Sequence, residues 1–402
     1  MNQQHGKLIM TVNAGSSSIK IGLFRGLQGQ EQPISFANAQ FDGIGTIPRL
    51  RIKRADGTLV AEKHFDTQDV NRRSDAFALI FPAILEELKG ERPALFSHRV
   101  VHGGAIFKGP VLITPQYIEE IRKLIPLAPL HQSYNLAPIE DIYQETPDLP
   151  QVACFDTAFH AGRSEISMIT GLPYRYYAEE GIKRYGVHGL SFEYISHSLK
   201  KQMPNLAHGR VIVAHLGSGI GLCAIKDGKS TEVTTSFTAL DGAPMGTRPG
   251  TLDPGIILHL VGQGKTHKEL EQLLYRESGL LGISGISNDM RKLHESTDPR
   301  AKLAIDYLAY QLAQQVGRLA VTLGGLDALI FTAGIGENDP ALRAQVTQYL
   351  QPIFKLDIDQ QANQHNALHI SSPSSAVQVL VMPTDEESML AKHAWAIYSS
   401  RH

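Results

Sequence analysis

Residues 13–20, NAGSSSIK, concentrate hydroxyls, backbone N–H groups and one ammonium at a single bend of the chain. Such a tip can cradle phosphate oxygens, because glycine admits close backbone approach and serine donates an O–H. The plain alternative is a polar turn, for which Gly and Ser are ordinary choices. A lone Gly-Ser-Ser-Ser leaves both readings open. It is not a loop of the Gly-Lys-Ser/Thr type, whose lysine opens a helix. Here Lys20 enters a strand, with Ile19, Ile21 and Leu23 alternating against Lys20, Gly22 and Phe24. Residues 8–12, LIMTV, are apolar and partly β-branched, so the two segments read as a hairpin.

The same plan recurs half a chain later. Residues 211–214 are apolar, His215-Leu216-Gly217-Ser218-Gly219 make a turn, and Ile220, Leu222 and Ala224 share one face of a second strand. Gly15 and Gly217 hold equivalent places. A third glycine turn is expected over residues 334–338, after a buried strand at 328–331 and before a helix opening near Asp339-Pro340. A helix N-terminus behind glycines suits an anion or the flat face of a nucleotide, although Gly336 as a mere turn residue fits as well.

These turns need elements to carry them. Ile305, Leu308, Leu312, Val316, Leu319 and Leu323 recur at spacings of three and four, which predicts a long helix over 299–323 stopped by Gly324-Gly325. Two hairpins, each opening one half of the chain, predict two similar α/β lobes with a cleft between them. The 402 residues suffice for two cores. Lys plus Arg number 38 against 40 Asp plus Glu, so bulk charge attracts neither nucleic acid nor a membrane surface. Two cysteines, far apart and in apolar surroundings, fit a reduced cytoplasmic protein without disulfides. No 18-residue apolar span or signal peptide is expected. The 17 histidines are scattered without a metal-binding spacing.

Taken together, these segments resemble the acetate kinase family, which includes propionate kinases and sits in the actin/Hsp70/sugar-kinase superfamily. The resemblance runs over essentially the whole chain. It rests on NAGSSSIK (13–20), SHRVVHGG (97–104), PLAPLHQ (126–132), FDTAFH (155–160), RYGVHG (184–189), HLGSG (215–219), MGTRPGTLDPG (245–255), ISNDMR (286–291), TAGIGEN (332–338) and PTDEE (383–387). It implies two actin-like (ribonuclease H-like) lobes related by duplication around a nucleotide cleft, and a homodimer. It also implies reversible phosphoryl transfer between ATP and a short-chain carboxylate with Mg²⁺, or Mn²⁺ in its place. The lobes are expected at residues 1–155 plus 388–402 and at 156–387, the second carrying nucleotide binding and dimerisation.

A carboxylate nucleophile is already ionised at neutral pH, so the task is to hold two anions in line, and that calls for cations. The resemblance implies that Arg99 binds the carboxylate and Arg248 stabilises the transition state. His188 would contact the transferring phosphoryl group, and Asp156 would be the catalytic carboxylate, organising Mg²⁺ waters and Arg248 rather than taking a proton. Asn13 and Glu386 match metal-associated positions. Ser16, Ser18, Lys20, the 215–219 turn, Asp289, Met290, Arg291, and Gly334, Ile335, Gly336, Glu337 and Asn338 match ATP-contacting segments. Ser218 stands where the family usually has asparagine, and its hydroxyl reaches less far. Around the acyl group Val101 and Leu130 are retained, but Val187 replaces an aromatic and Ala239 a proline. That enlarges the pocket unless Leu190 or Phe192 repacks, and it brings propionate or butyrate into range beside acetate. The rivals are an ATP-hydrolysing conformational switch, which has no use for Arg99, Arg248 and His188 together, and a sugar kinase, which would want a general-base aspartate.

Overall fold

The computed structural model describes residues 6–15, 18–44, 46–70, 73–129 and 131–401. Ser16 and Leu130, both expected at ligand positions, lie outside the described residues. The chain divides into two units, Met1–Ala158 with Asp385–His402, and Phe159–Thr384.

The first unit is built on an eight-stranded sheet. Its strands are β1 (Lys7–Ala14), β2 (Ser18–Gly26), β3 (Ile34–Asp42), β4 (Arg49–Arg54), β5 (Leu59–His64), β6 (Leu95–Val100), β7 (Val111–Leu112) and β8 (Gln151–Phe155), ordered β5-β4-β3-β2-β1-β6-β8-β7. The expected hairpin is β1–β2, antiparallel from Lys7↔Gly26 to Ala14↔Ile19. β1, β6 and β8 run parallel. The second unit holds β9 (Arg210–Leu216), β10 (Ile220–Lys226), β11 (Lys229–Val233), β12 (Ala328–Thr332) and β13 (Gln378–Val381), ordered β11-β10-β9-β12-β13. Here too a hairpin, β9–β10, is followed by parallel partners, β12 and β13. The run β3-β2-β1-β6-β8 therefore has the same order and sense as β11-β10-β9-β12-β13, the duplication expected from the two hairpins. Both hairpins are closed by a glycine N–H, Gly15 on Ser18 O at 2.8 Å across two residues and Gly217 on Gly219 O at 3.0 Å across one.

The long helix spans Pro299–Leu323, starts at Asp298, which caps the Arg300 N–H, and stops at Gly324 with φ 73°. It buries Ile305, Leu308, Leu312, Val316 and Leu319 against the second sheet. Residues 334–338 differ from expectation. They belong to a short helix, Ala333–Asn338, before Asp339 caps the helix Pro340–Phe354. Glycine disfavours helix, but side chains supply the missing partners. Glu337 Oε1 accepts the Ala333 N–H at 2.8 Å and Asn338 Nδ2 donates to Gly334 O at 2.9 Å.

The division between units also differs from the expected one, by three residues at each crossing, and moves Asp156 and Glu386 into the first unit. Asp156 N–H continues the β6–β8 pairing by donating to Val100 O at 3.0 Å. Asp385 caps the last helix, Glu386–Ser399, which packs on β1, β6 and β8.

Candidate active site

In the first unit the polar residues gather where β1, β6 and β8 end, the edge at which open α/β sheets take ligands. Arg99, the penultimate residue of β6, gives Nε to Asp156 Oδ1 at 3.1 Å and Nη2 to Oδ2 at 2.6 Å. Its Nη1 donates to Asn13 Oδ1 at 3.2 Å, and Glu386 Oε2 stands 3.6 Å from Nε. Asn13 Nδ2 in turn reaches Glu386 Oε2 at 3.4 Å. Four of the expected residues thus form one constellation. Asp156 is fully buried. Burial opposes the Arg99 charge, but Asp156 and Glu386 outweigh it and hold the guanidinium above its ordinary pKa. Lys20, exposed on β2, pairs in register with Asn13, and half-buried Ser18 opens the strand.

Val101 is buried just after β6. The segment that carries it is clamped by two polar residues of the helix Gln132–Glu145. Asn135 accepts the Val101 N–H at 3.0 Å and donates to Ala14 O at 2.9 Å. Gln132 accepts from His102 N at 3.1 Å and donates to His102 O at 2.8 Å. These clamps were missing from the sequence reading. Their one signal is Gln and Asn three residues apart, on one helical face.

The second unit holds the other set. His188 precedes the helix Gly189–Gln202 in a left-handed conformation, φ 62°. Its ring stacks on His215, centroids 4.3 Å apart, and His215 Nδ1 meets Ser191 Oγ at 2.8 Å. Gly219 lies so close that an added Cβ would stand 3.0 Å from His188 Nε2 and 3.4 Å from Arg248 Nη2. Arg248 Nη1 donates to Ala239 O at 3.0 Å, and among the described residues no carboxylate pairs with it. Desolvation lowers its pKa, with Tyr275 pulling the other way. A withdrawn guanidinium without a counter-charge, an imidazole and a glycine backbone make a ready anion site.

The nucleotide segments divide by what their side chains do. Leu216, Met290 and Ile335 serve the hydrophobic core. Glu337 is turned onto the backbone at Ala333 and, at 3.3 Å, at Thr384. Gly217 is half-buried, while Ser218, Arg291, Gly334 and Asn338 are exposed. Asp289 caps the helix Met290–Glu295 and pairs with Arg291 at 2.7 Å. His294 and Asp339, 2.9 Å apart, link that helix to the cap of Pro340–Phe354, and fully buried Arg343 donates to Gly336 O at 2.8 Å. His294 and Arg343 were likewise absent from the sequence reading, which had Asp339 only as the opening of a helix.

Three comparisons bear on this arrangement. The family model of the acetokinase family matches residues 8–392. An acetate kinase of Nitrobacter hamburgensis is 45% identical, covering 98% of this chain and 96% of the relative. An acetate kinase of Rickettsia prowazekii is 39% identical, covering 96% and 98%. Among solved structures, a propionate kinase from Francisella tularensis superposes with TM-score 0.86 at 35% identity, over 96% of this chain and 98% of that one. The Porphyromonas gingivalis acetate kinase gives 0.83 at 32%, over 98% and 100%. On the family match and on identity along nearly its whole length, this chain belongs to the acetokinase family.

Proposed function

We propose that this chain transfers the γ-phosphoryl group of ATP, reversibly, to a short-chain carboxylate, with acetate the leading candidate. The observation that carries the reading is Arg248, a desolvated guanidinium that has no carboxylate partner among the described residues and stands with His188 around Gly219. Both can donate to oxygens of a phosphoryl group in transfer, where charge is spread over the equatorial positions. Arg99 takes the substrate. Asp156 occupies its Nε–Nη2 edge, yet each terminal nitrogen keeps a further N–H, so the outer edge can hold a second carboxylate bidentately. Asp156 then fixes the guanidinium and needs no proton, because the nucleophile arrives ionised.

The donor chemistry of Asn13 and Glu386 suits Mg²⁺, which accepts few hard oxygens and retains water. An ion held there would supply positive charge against the phosphate oxygens. Ser18, Lys20, Gly217, Ser218, Gly219, Asp289, Arg291, Gly334 and Asn338 are read as the ATP contacts. The helix Pro254–Gly262 exposes Ile256, Leu258 and Val261, apolar side chains that a second copy of the chain could cover. No described helix is long and apolar enough to cross a membrane, and both cysteines are buried and unbridged, which suits a cytoplasmic enzyme.

Propionate is the second reading, and one observation favours it. Phe192 sits in the core with Ile195, Val211 and Val213, edge-on to His160 and His215, so it is not available to refill the room beside Val187. The test traps acyl phosphate as hydroxamate from Mg-ATP with acetate, propionate and butyrate. Trapped product is the expected result. ATP hydrolysis indifferent to every short carboxylate would overturn the proposal. The Val187→Phe variant should shift kcat/KM back toward acetate, a methylene in an apolar pocket being worth about 1–3 kcal/mol.

A further inference from the structure

His188 occupies a backbone conformation that residues other than glycine seldom adopt, φ 62°. Such a residue persists where its surroundings over-determine it, and residues 184–187 before it are tied at nearly every peptide group. Arg184 N–H donates to Met168 O at 2.8 Å, while Tyr185 and Gly186 N–H donate to Ser236 O at 3.0 and 3.2 Å. Val187 N–H donates to Thr235 Oγ1 at 3.0 Å. The carbonyls are gathered by two buried side chains. Arg163 donates through Nη2 to Arg184 O and, at 2.9 Å, to Tyr185 O, and His160 Nε2 donates to Val187 O at 3.1 Å.

Neither side chain is a surface residue that happens to reach the loop. His160 is fully buried and Arg163 nearly so. Arg163 is anchored behind by Nε on His160 O at 3.1 Å and by Nη1 on Glu232 at 3.1 Å. Burial and the adjacent Arg163 charge hold the His160 pKa down at about 3, so the ring is neutral. With Nε2–H committed to a carbonyl, Nδ1 accepts from Ser230 Oγ at 2.8 Å, and Ser230 Oγ in turn accepts from Cys223 Sγ at 3.3 Å. Gly186, φ 84°, closes the arrangement. A Cβ there would stand 2.4 Å from Val233 Cγ1 and 3.0 Å from the His160 ring.

We infer that Arg163 and His160 are positioning residues that act through His188, holding its imidazole where it meets the phosphoryl group. The inference rests on the reading of His188 as a phosphoryl contact. Arg163 holds both carbonyls through Nη2 while Nη1 and Nε stay on Glu232 and His160 O, four contacts in one plane that the three donors of a lysine cannot match. A donor at position 160 can be supplied by glutamine but not by leucine.

The test is a kinetic cycle on the full chain with Mg-ATP and acetate. Arg163→Lys is expected to lower kcat about tenfold while both KM values move less than about twofold, the pattern of an interaction realised in the transition state. In a His188→Ala background the same substitution should change kcat less than about twofold, because the residue it acts through is gone. His160→Leu should behave like Arg163→Lys, and His160→Gln should recover most of the loss. Should Arg163→Lys not fold, Glu232→Gln, which frees the guanidinium from behind, enters the cycle in its place. Losses that multiply in the double variant, or an unchanged kcat in Arg163→Lys, overturn the inference and leave the role of His188 standing. A His188→Ala enzyme with undiminished kcat removes that role, and the inference with it.

Discussion

Arg99 and Arg248 are one side chain in two electrostatic settings. Asp156 and Glu386 compensate Arg99 and raise its pKa, whereas Arg248 loses hydration without gaining a carboxylate, and its pKa falls. The two therefore respond differently to removal. Arg248→Ala should lower kcat by a factor on the order of 10³, since its charge is answered only as charge develops on the phosphoryl group. The same variant should keep or raise the thermal midpoint, because an uncompensated desolvated charge has been removed. A kcat within a few-fold of the parent would sink the assignment. Arg99→Ala should weaken carboxylate binding more than ATP binding and also cost about 3 kcal/mol of stability, since Asp156 is left buried and ionised. Denaturation of Arg99→Ala beside the double variant Arg99→Ala/Asp156→Ala checks this. The second change should return part of the loss.

At the scale of the element, the turn of the β9–β10 hairpin brings backbone rather than a side chain up to His188 and Arg248 at Gly219. Its φ is unexceptional, so alanine adds no backbone strain, but the new Cβ would press on His188 and Arg248. Gly219→Ala should lower kcat roughly tenfold or more with little change in thermal midpoint, small misplacements of reacting groups being costly. Loss of stability without loss of kcat would show that the contact is mere packing. The hairpins were legible because alternation and glycine are local signals, and so was the helix Pro299–Leu323, with apolar spacing inside it and Gly324 at its end. The helix Ala333–Asn338 was not, because two glycines argue against it and its support comes from Glu337 and Asn338 folding back. The clamps Gln132, Asn135, Arg163 and Arg343 were illegible for another reason. Each is a polar residue whose carbonyl and amide partners lie on other elements, so beyond the spacing of Gln132 and Asn135 the neighbouring sequence does not announce them. The family's motifs contain Gln132 and His160, yet the resemblance attached roles only to the groups that face ligand.

Across the whole molecule, duplication has given each unit a five-strand core of the same order, and in each unit a buried histidine has its pKa depressed. In the first unit burial holds His98 at about 4, with Gln151 opposing. In the second, burial and Arg163 hold His160 at about 3. The unfolded chain, with histidine near about 6.5, binds these protons more readily than the folded one. Stability is therefore full above about pH 6.5 and declines as pH falls toward the folded values, by up to about 1.4 kcal/mol per pH unit for each histidine. The first unit carries an opposing contribution. Burial raises Glu387 and Asp141, so their folded forms hold protons more tightly and favour the folded state at low pH. The second unit gives the cleaner readout. Urea unfolding followed at pH 7.5, 6.0 and 5.0 should show the midpoint falling with acid, and His160→Gln, which cannot take up the proton, should flatten the slope while lowering stability at pH 7.5. A slope between pH 7.5 and 5.0 that is the same in His160→Gln as in the parent would mean that His160 takes up its proton as readily in the folded chain as in the unfolded one, and the depressed pKa of its ring would have to be abandoned.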